Sequence, residues 1–102
     1  MTKYMILFKA ENSLFPTDPK QLLKLWEGIL GGAEQLFKFG MKDLGWFSPR
    51  EGYAIVEAES KAKLLELVSA FFPLYSQEIQ EIAPFAEAKE ALLASARRSA
   101  QQ

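Results

Sequence analysis

The sequence predicts an α+β domain: a four-stranded antiparallel sheet in βαββαβ order, followed by one more helix. Three observations carry that prediction. Two helix starts are marked by cap residues, at Asp18-Pro19 and at Ser60. Two apolar runs flank a short turn, "MKDLGWF" and "EGYAIVEAE" around "SPRE". Finally, the segment "FFPLYSQEIQEIAP" follows the second helix, where the chain order calls for one returning strand.

The elements follow in order. Lys3–Ala10 is apolar on both parities, with Tyr4, Ile6 and Phe8 on one side and Met5 and Leu7 on the other. That is the pattern of a strand covered on two faces. "ENSLFPTDP" is loop, and Asp18-Pro19 reads as an N-cap followed by Pro at the first helical position. From Pro19 to about Phe39, Leu22, Trp26, Ile29, Ala33 and Leu36 step by threes and fours. Leu23, Leu30 and Phe37 run beside them at a spacing of seven, so the helix is expected to have a broad apolar face. Gly31-Gly32 costs roughly 1 kcal/mol per glycine in a helix, so a kink or close packing is expected there. Gly40 suits the position just past the helix end.

In the hairpin, Pro49 fits the second turn position and Gly52 is able to take positive φ just after it. Ser60 caps the second helix, with Leu64, Leu67, Val68 and Phe71 as its buried stripe and Pro73 as its stop. The next segment has Ile79 and Ile82 three apart, as on a helix, yet it begins just after Pro73. Periodicity alone does not decide between helix and strand. Chain order does, because two split βαβ halves need a returning strand, and 75–83 is therefore read as strand four of a ferredoxin-like sheet. Residues 1–84 form one domain on this reading. Residues 85–102 form a helical tail with a thin apolar stripe (Phe85, Ala88, Leu92, Ala96) and late Arg97-Arg98, where cations suit a helix C-terminus.

Composition narrows the function. At 102 residues the chain suits one domain. Twelve basic residues stand against 13 acidic ones, without a long run of either sign, which argues against nucleic-acid and acidic-membrane partners. Without Cys there is no disulfide, thiolate site or Cys nucleophile. Without His the commonest general base and the commonest metal or haem ligand are missing, so no metal and no cofactor are expected. The apolar start is too short for a signal h-region or a membrane span, and a soluble cytoplasmic protein is expected.

A ferredoxin-like unit lays both helices on one face of its sheet. The strands here are too apolar on both parities to leave the other face in water. In strand three, Ala54 and Val56 are small enough to lie under helices, while Tyr53, Ile55 and Glu57 share the opposite face. Such a sheet predicts a homodimer with sheets facing each other, the dimeric α+β barrel arrangement.

The long first helix ending "LFKFG", the strand-to-cap passage "EGYAIVEAES" and the step "FFPLY" into the last strand carry a resemblance. In these stretches and in its order of elements, over roughly residues 3–83, the chain resembles the muconolactone isomerase-like branch of the dimeric α+β barrel superfamily. The resemblance implies a dimer or higher ring and a small cavity between sheet and helices. In some relatives it implies isomerase or monooxygenase chemistry. Relatives that bind haem or cleave acid anhydrides rely on a His, which this chain lacks. No catalytic residue is carried over from the family.

The candidate residues come from the strands themselves. Glu57 ends an apolar strand, where burial would raise its pKa toward that of a general base. The plainer alternative is a strand-end carboxylate, exposed or paired with Lys3 across the sheet. Tyr53, on the same face, would orient a substrate. Lys9 and Glu78 are expected to meet between strands one and four, either as an anchor for an anionic ligand or as a cross-strand ion pair. Asp43 reads as a solubilising edge charge. Trp26 and Trp46, with Phe47 and Tyr53, would line a pocket for a flat apolar ligand or serve as core and dimer contacts. Gly31-Gly32 lacks the context of a phosphate loop. Ser13, Ser48, Ser69 and Ser76 have no His to activate them. Three readings of function stand open: a homodimeric barrel binding a small apolar or aromatic molecule, an isomerase or cofactor-independent oxygenase moving a proton with Glu57, and a structural oligomerisation module.

Overall fold

The computed structural model describes residues 1–71 and 74–101. Strand β1 (Thr2–Ala10) leads through a 3-10 turn at Asn12–Leu14 into helix α1 (Pro19–Phe37). Strands β2 (Met41–Ser48) and β3 (Glu51–Ala58) form a hairpin, and helix α2 (Lys61–Val68) ends in a 3-10 turn at Ser69–Phe71. Strand β4 (Tyr75–Ile82) and helix α3 (Phe85–Ala100) complete the chain. The strands lie in the order β2-β3-β1-β4, and every neighbouring pair is antiparallel. This is the ferredoxin-like βαββαβ sheet with a helix appended. Segment 75–82 is a strand, as chain order requires; the helix stop expected at Pro73 lies outside the described residues.

Both helix starts form as their cap residues dictate. The Asp18 carboxylate accepts from the Gln21 amide at 3.1 Å, and the Ser60 hydroxyl accepts from the Lys63 amide at 3.2 Å. At the end of α1, Gly40 takes φ +129°, a value that a side chain would strain. Helix α1 runs unbroken through Gly31-Gly32. A Cβ at Gly31 would meet no described atom within 4 Å, and one at Gly32 would stand 3.4 Å from the Phe71 ring, an ordinary contact, so packing does not demand glycine at either position.

Two local expectations need correction. Gly52 does not take positive φ; it sits in β3 as ordinary extended strand. Its missing side chain serves packing instead, because the Phe8 ring and the Gly45 carbonyl occupy the space that a Cβ would need. The apolar face of α1 is also narrower than its sequence suggests. Ile29 and Ala33 are buried and Trp26 and Leu36 half-buried, but Leu23, Leu30 and Phe37 point to solvent. One helix face can rest on a sheet, and the seven-spaced row lies just beyond that contact.

The sheet has two different faces. Tyr4, Ile6, Ala54, Val56 and Ala58 point under the helices and join Leu64 and Val68 in the core, with Leu64 wholly buried. No polar or charged residue among those described is buried with them. The other face carries Met5, Leu7, Tyr53, Ile55 and Ile82, flanked by Lys3, Lys9, Glu51, Glu57 and Glu78, and no element among the described residues covers it. Helix α3 does not cover it: the helix buries no residue, and Phe85 and Leu92 are 80% and 70% exposed. The radius of gyration is 17.7 Å, against about 13 Å for a compact chain of this length. A 16-residue helix adds about 24 Å of reach, which accounts for the elongation. Among the described residues, no helix is long and apolar enough to cross a membrane.

Candidate functional site

The covered face of the sheet does not pack solidly against the helices. Between them lies a cavity of about 60 Å³, floored by Ile6, Phe8, Trp46, Val56 and Tyr75 and roofed by Ile29, Ala33, Val68 and Phe71. Strand pairing makes the floor. Trp46 of β2 stands opposite Gly52 of β3, Gly52 opposite Phe8 of β1, and Ala10 of β1 opposite Tyr75 of β4. With no side chain at Gly52, the Phe8 ring leans across it. Phe8 then lies edge-on to Trp46 at 5.7 Å and to Tyr75 at 5.0 Å. Trp26 of α1 closes this end, edge-on to Trp46 at 6.4 Å and stacked on Phe15 at 6.1 Å. Edge-to-face contacts at such distances are attractive through the ring quadrupoles.

Two polar atoms break the apolar lining. The Trp46 indole N–H and the Tyr75 hydroxyl are both buried, and neither has a hydrogen-bond partner among the described residues. The indole lies near enough to the phenol to offset part of a pKa rise, but without hydrogen-bond geometry. Burial is the larger effect and pushes the Tyr75 phenol up from its ordinary value, so it stays a neutral donor at physiological pH. A buried polar group without a partner costs about 1–3 kcal/mol. Phenylalanine at both positions would avoid that cost, so the two polar tips ask for an explanation. Gln77, also on the wall, has its amide committed: its Nε2 donates to the Val68 carbonyl at 3.0 Å, at the end of α2.

A second, open groove of about 470 Å³ lies outside, between α1 and the turn after α2, with Leu25, Gly28, Gly32 and Ala70 along it. Ile29 and Phe71 border both spaces. Ile29 and Phe71 therefore stand between the groove and the inner cavity.

The sequence candidates divide between this cavity and the open face of the sheet. Trp46 lines the cavity, and Trp26 packs behind it. Glu57 and Tyr53 lie on the open face. They are four residues apart on β3, about 13 Å along a strand, so they do not converge on one small substrate. Glu57 is flanked by Lys3 at 4.0 Å, the cross-strand neighbour expected of it, and by Lys42 at 3.8 Å. The Tyr53 hydroxyl donates to Asp43 at 2.8 Å, and its ring stacks on Phe47 at 5.8 Å. That hydrogen bond, chiefly, raises the phenol's pKa.

The expected meeting of Lys9 and Glu78 is corrected. Lys9 stands opposite Ser76 in β4 and Glu51 in β3, and its ammonium lies 3.7 Å from Glu51. Glu78 stands opposite Leu7. The register places the two residues diagonally, and a directly opposed carboxylate wins. Tyr75 is the cavity residue that the sequence reading passed over. Its signal was its parity: it shares a strand face with Ile79, and a Tyr on a covered face brings a hydroxyl inside.

No family model, no curated protein and no solved structure matches this chain.

Proposed function

We propose that the chain is a homodimeric α+β barrel protein, akin to the muconolactone isomerase-like branch, whose interior cavity binds a small apolar or aromatic molecule. The observation that carries the binding reading is the cavity itself: apolar walls with two unpartnered polar tips, the usual make-up of a small-molecule site. Its size sets a condition. A dry apolar cavity of about 150 Å³ admits benzene, whereas this one measures about 60 Å³. A few heavy atoms fit as it stands, and a ring needs lining side chains such as Ile29 and Phe71 to give way. No carboxylate among the described residues lines the cavity, so the geometry favours binding over proton transfer.

The dimer reading rests on the uncovered sheet face. Its apolar residues are bordered by charges already matched in sign, Lys3 and Lys42 with Glu57 and Lys9 with Glu51. A near-neutral rim around an apolar centre suits a second copy of the same face better than a charged partner. Helix α3, with no residue buried on its own body, is free to lie on the second subunit.

The binding test is a thermal-shift screen of compact apolar compounds on the protein and on Ala33→Leu, which fills the cavity. A compound present at 100 times its Kd stabilises by about 2.7 kcal/mol. The shift should vanish in the filled variant, and a shift of equal size there would place binding elsewhere. Light scattering tests the dimer. A single monomeric species at micromolar concentration would rule out the facing sheets.

A further inference from the structure

We propose that Trp46 and Tyr75 form a two-donor seat for one acceptor oxygen, so that the molecule bound in the cavity is a compact apolar carbonyl compound. The inference rests on the binding reading above and narrows it to a chemical class. The indole N–H can only donate, and the neutral phenol of Tyr75 can donate or accept. A carbonyl oxygen has two lone pairs and no proton, so it satisfies both groups at once. An ammonium group has no lone pair with which to accept from the indole, and a hydrocarbon satisfies neither group.

The placement supports one shared ligand atom. Both residues line the same cavity and pack edge-on to the Phe8 ring, both polar tips are buried, and the indole lies near enough to the phenol to act on its pKa without a hydrogen bond between them. Tyr75 is only 3% exposed, so bulk water does not satisfy its hydroxyl. The walls discriminate further. Every described residue lining the cavity is uncharged, and a charged ligand would lose its hydration without gaining a counter-ion. The seat therefore takes a ketone or similar neutral carbonyl rather than a carboxylate.

The experiment compares two probes of nearly equal shape, cyclopentanone and cyclopentane, by NMR titration of the full-length ¹⁵N-labelled protein. With two tryptophans in the chain, the Trp46 indole signal is assigned by its loss in Trp46→Phe. An apolar cavity without donors favours the hydrocarbon strongly, because the carbonyl must shed its water. The seat predicts that cyclopentanone binds at least as tightly as cyclopentane and moves the Trp46 indole proton downfield. In Tyr75→Phe and Trp46→Phe the ketone-to-hydrocarbon preference should fall by about tenfold each. Cyclopentane binding should persist in both, which also shows that the variants are folded. A strong hydrocarbon preference in the parent protein, unchanged in the variants, overturns the seat and leaves the cavity reading standing. Failure of both probes to bind overturns the cavity reading itself.

Discussion

Tyr75→Phe should make the protein more stable, an unusual outcome for a substitution at a 3% exposed core position. The hydroxyl is buried without a partner, and removing it recovers a desolvation cost of about 1–3 kcal/mol. Against that stands the added void of a single oxygen atom, which at about 24 cal/mol per Å³ costs a few tenths of a kcal/mol. Ring contacts with Phe8 and Phe15 survive, since phenylalanine keeps the same ring. The net gain is about 1 kcal/mol or somewhat more, equivalent to roughly 4–8 °C in Tm for a domain of this size. Urea unfolding followed by circular dichroism at neutral pH measures it, with an unchanged m-value confirming that the same surface unfolds. A midpoint equal to or below that of the parent would mean that the hydroxyl is already satisfied, by water in the cavity or by the indole. That result refutes the argument that the polar pair is held for a ligand. The gain would be an instance of a functional residue retained at a cost in stability.

Gly52→Ala should destabilise by about 1–3 kcal/mol or more, because its Cβ enters space held by the Phe8 ring and the Gly45 carbonyl; the same urea assay reads it. A neutral result would mean that Phe8 does not lean over β3. Glu57→Gln should cost less than about 1 kcal/mol, since both of its lysine partners are largely exposed, and should leave probe binding in the cavity unchanged. Loss of cavity binding in that variant would restore Glu57 to the site. Tyr53 and Tyr75 should ionise above the ordinary value of 10.0 in an absorbance titration at 295 nm, and Tyr75→Phe should remove one of the late steps. Both folded-state values are raised, so their contribution to stability is complete below pH 10 and is lost as pH rises through the raised values. A Tyr75→Phe titration with no late step missing would contradict the burial of that phenol.

Much of the fold was legible along the chain because its signals are local. Asp18-Pro19 and Ser60 announce helix starts through the hydrogen bonds that they alone offer to free amides. Gly40 marks a helix end through a backbone angle that other residues avoid. Strand β4 was legible by a less local route. The Ile79/Ile82 spacing looks helical, and the connectivity of two βαβ halves overrules it. Even the separation of the sheet into Ala54/Val56 and Tyr53/Ile55 faces follows from a period of two.

The site was only half legible. Trp46 was a candidate from the start, but its partner Tyr75 is 29 positions away, on the far edge strand of the sheet. Nothing in the periodicity of either strand says that the two polar tips share a cavity. Register decides it: the succession Trp46, Gly52, Phe8 across three strands lets one ring lie between two others. Register also gave Lys9 to Glu51 rather than to Glu78, and it used the small size of Gly52 rather than its conformational freedom. Patterning along a chain reports which face a residue takes, because Cβ direction repeats with the local backbone. Which residues meet on that face depends on strand neighbours and their offsets, and only the folded sheet settles those.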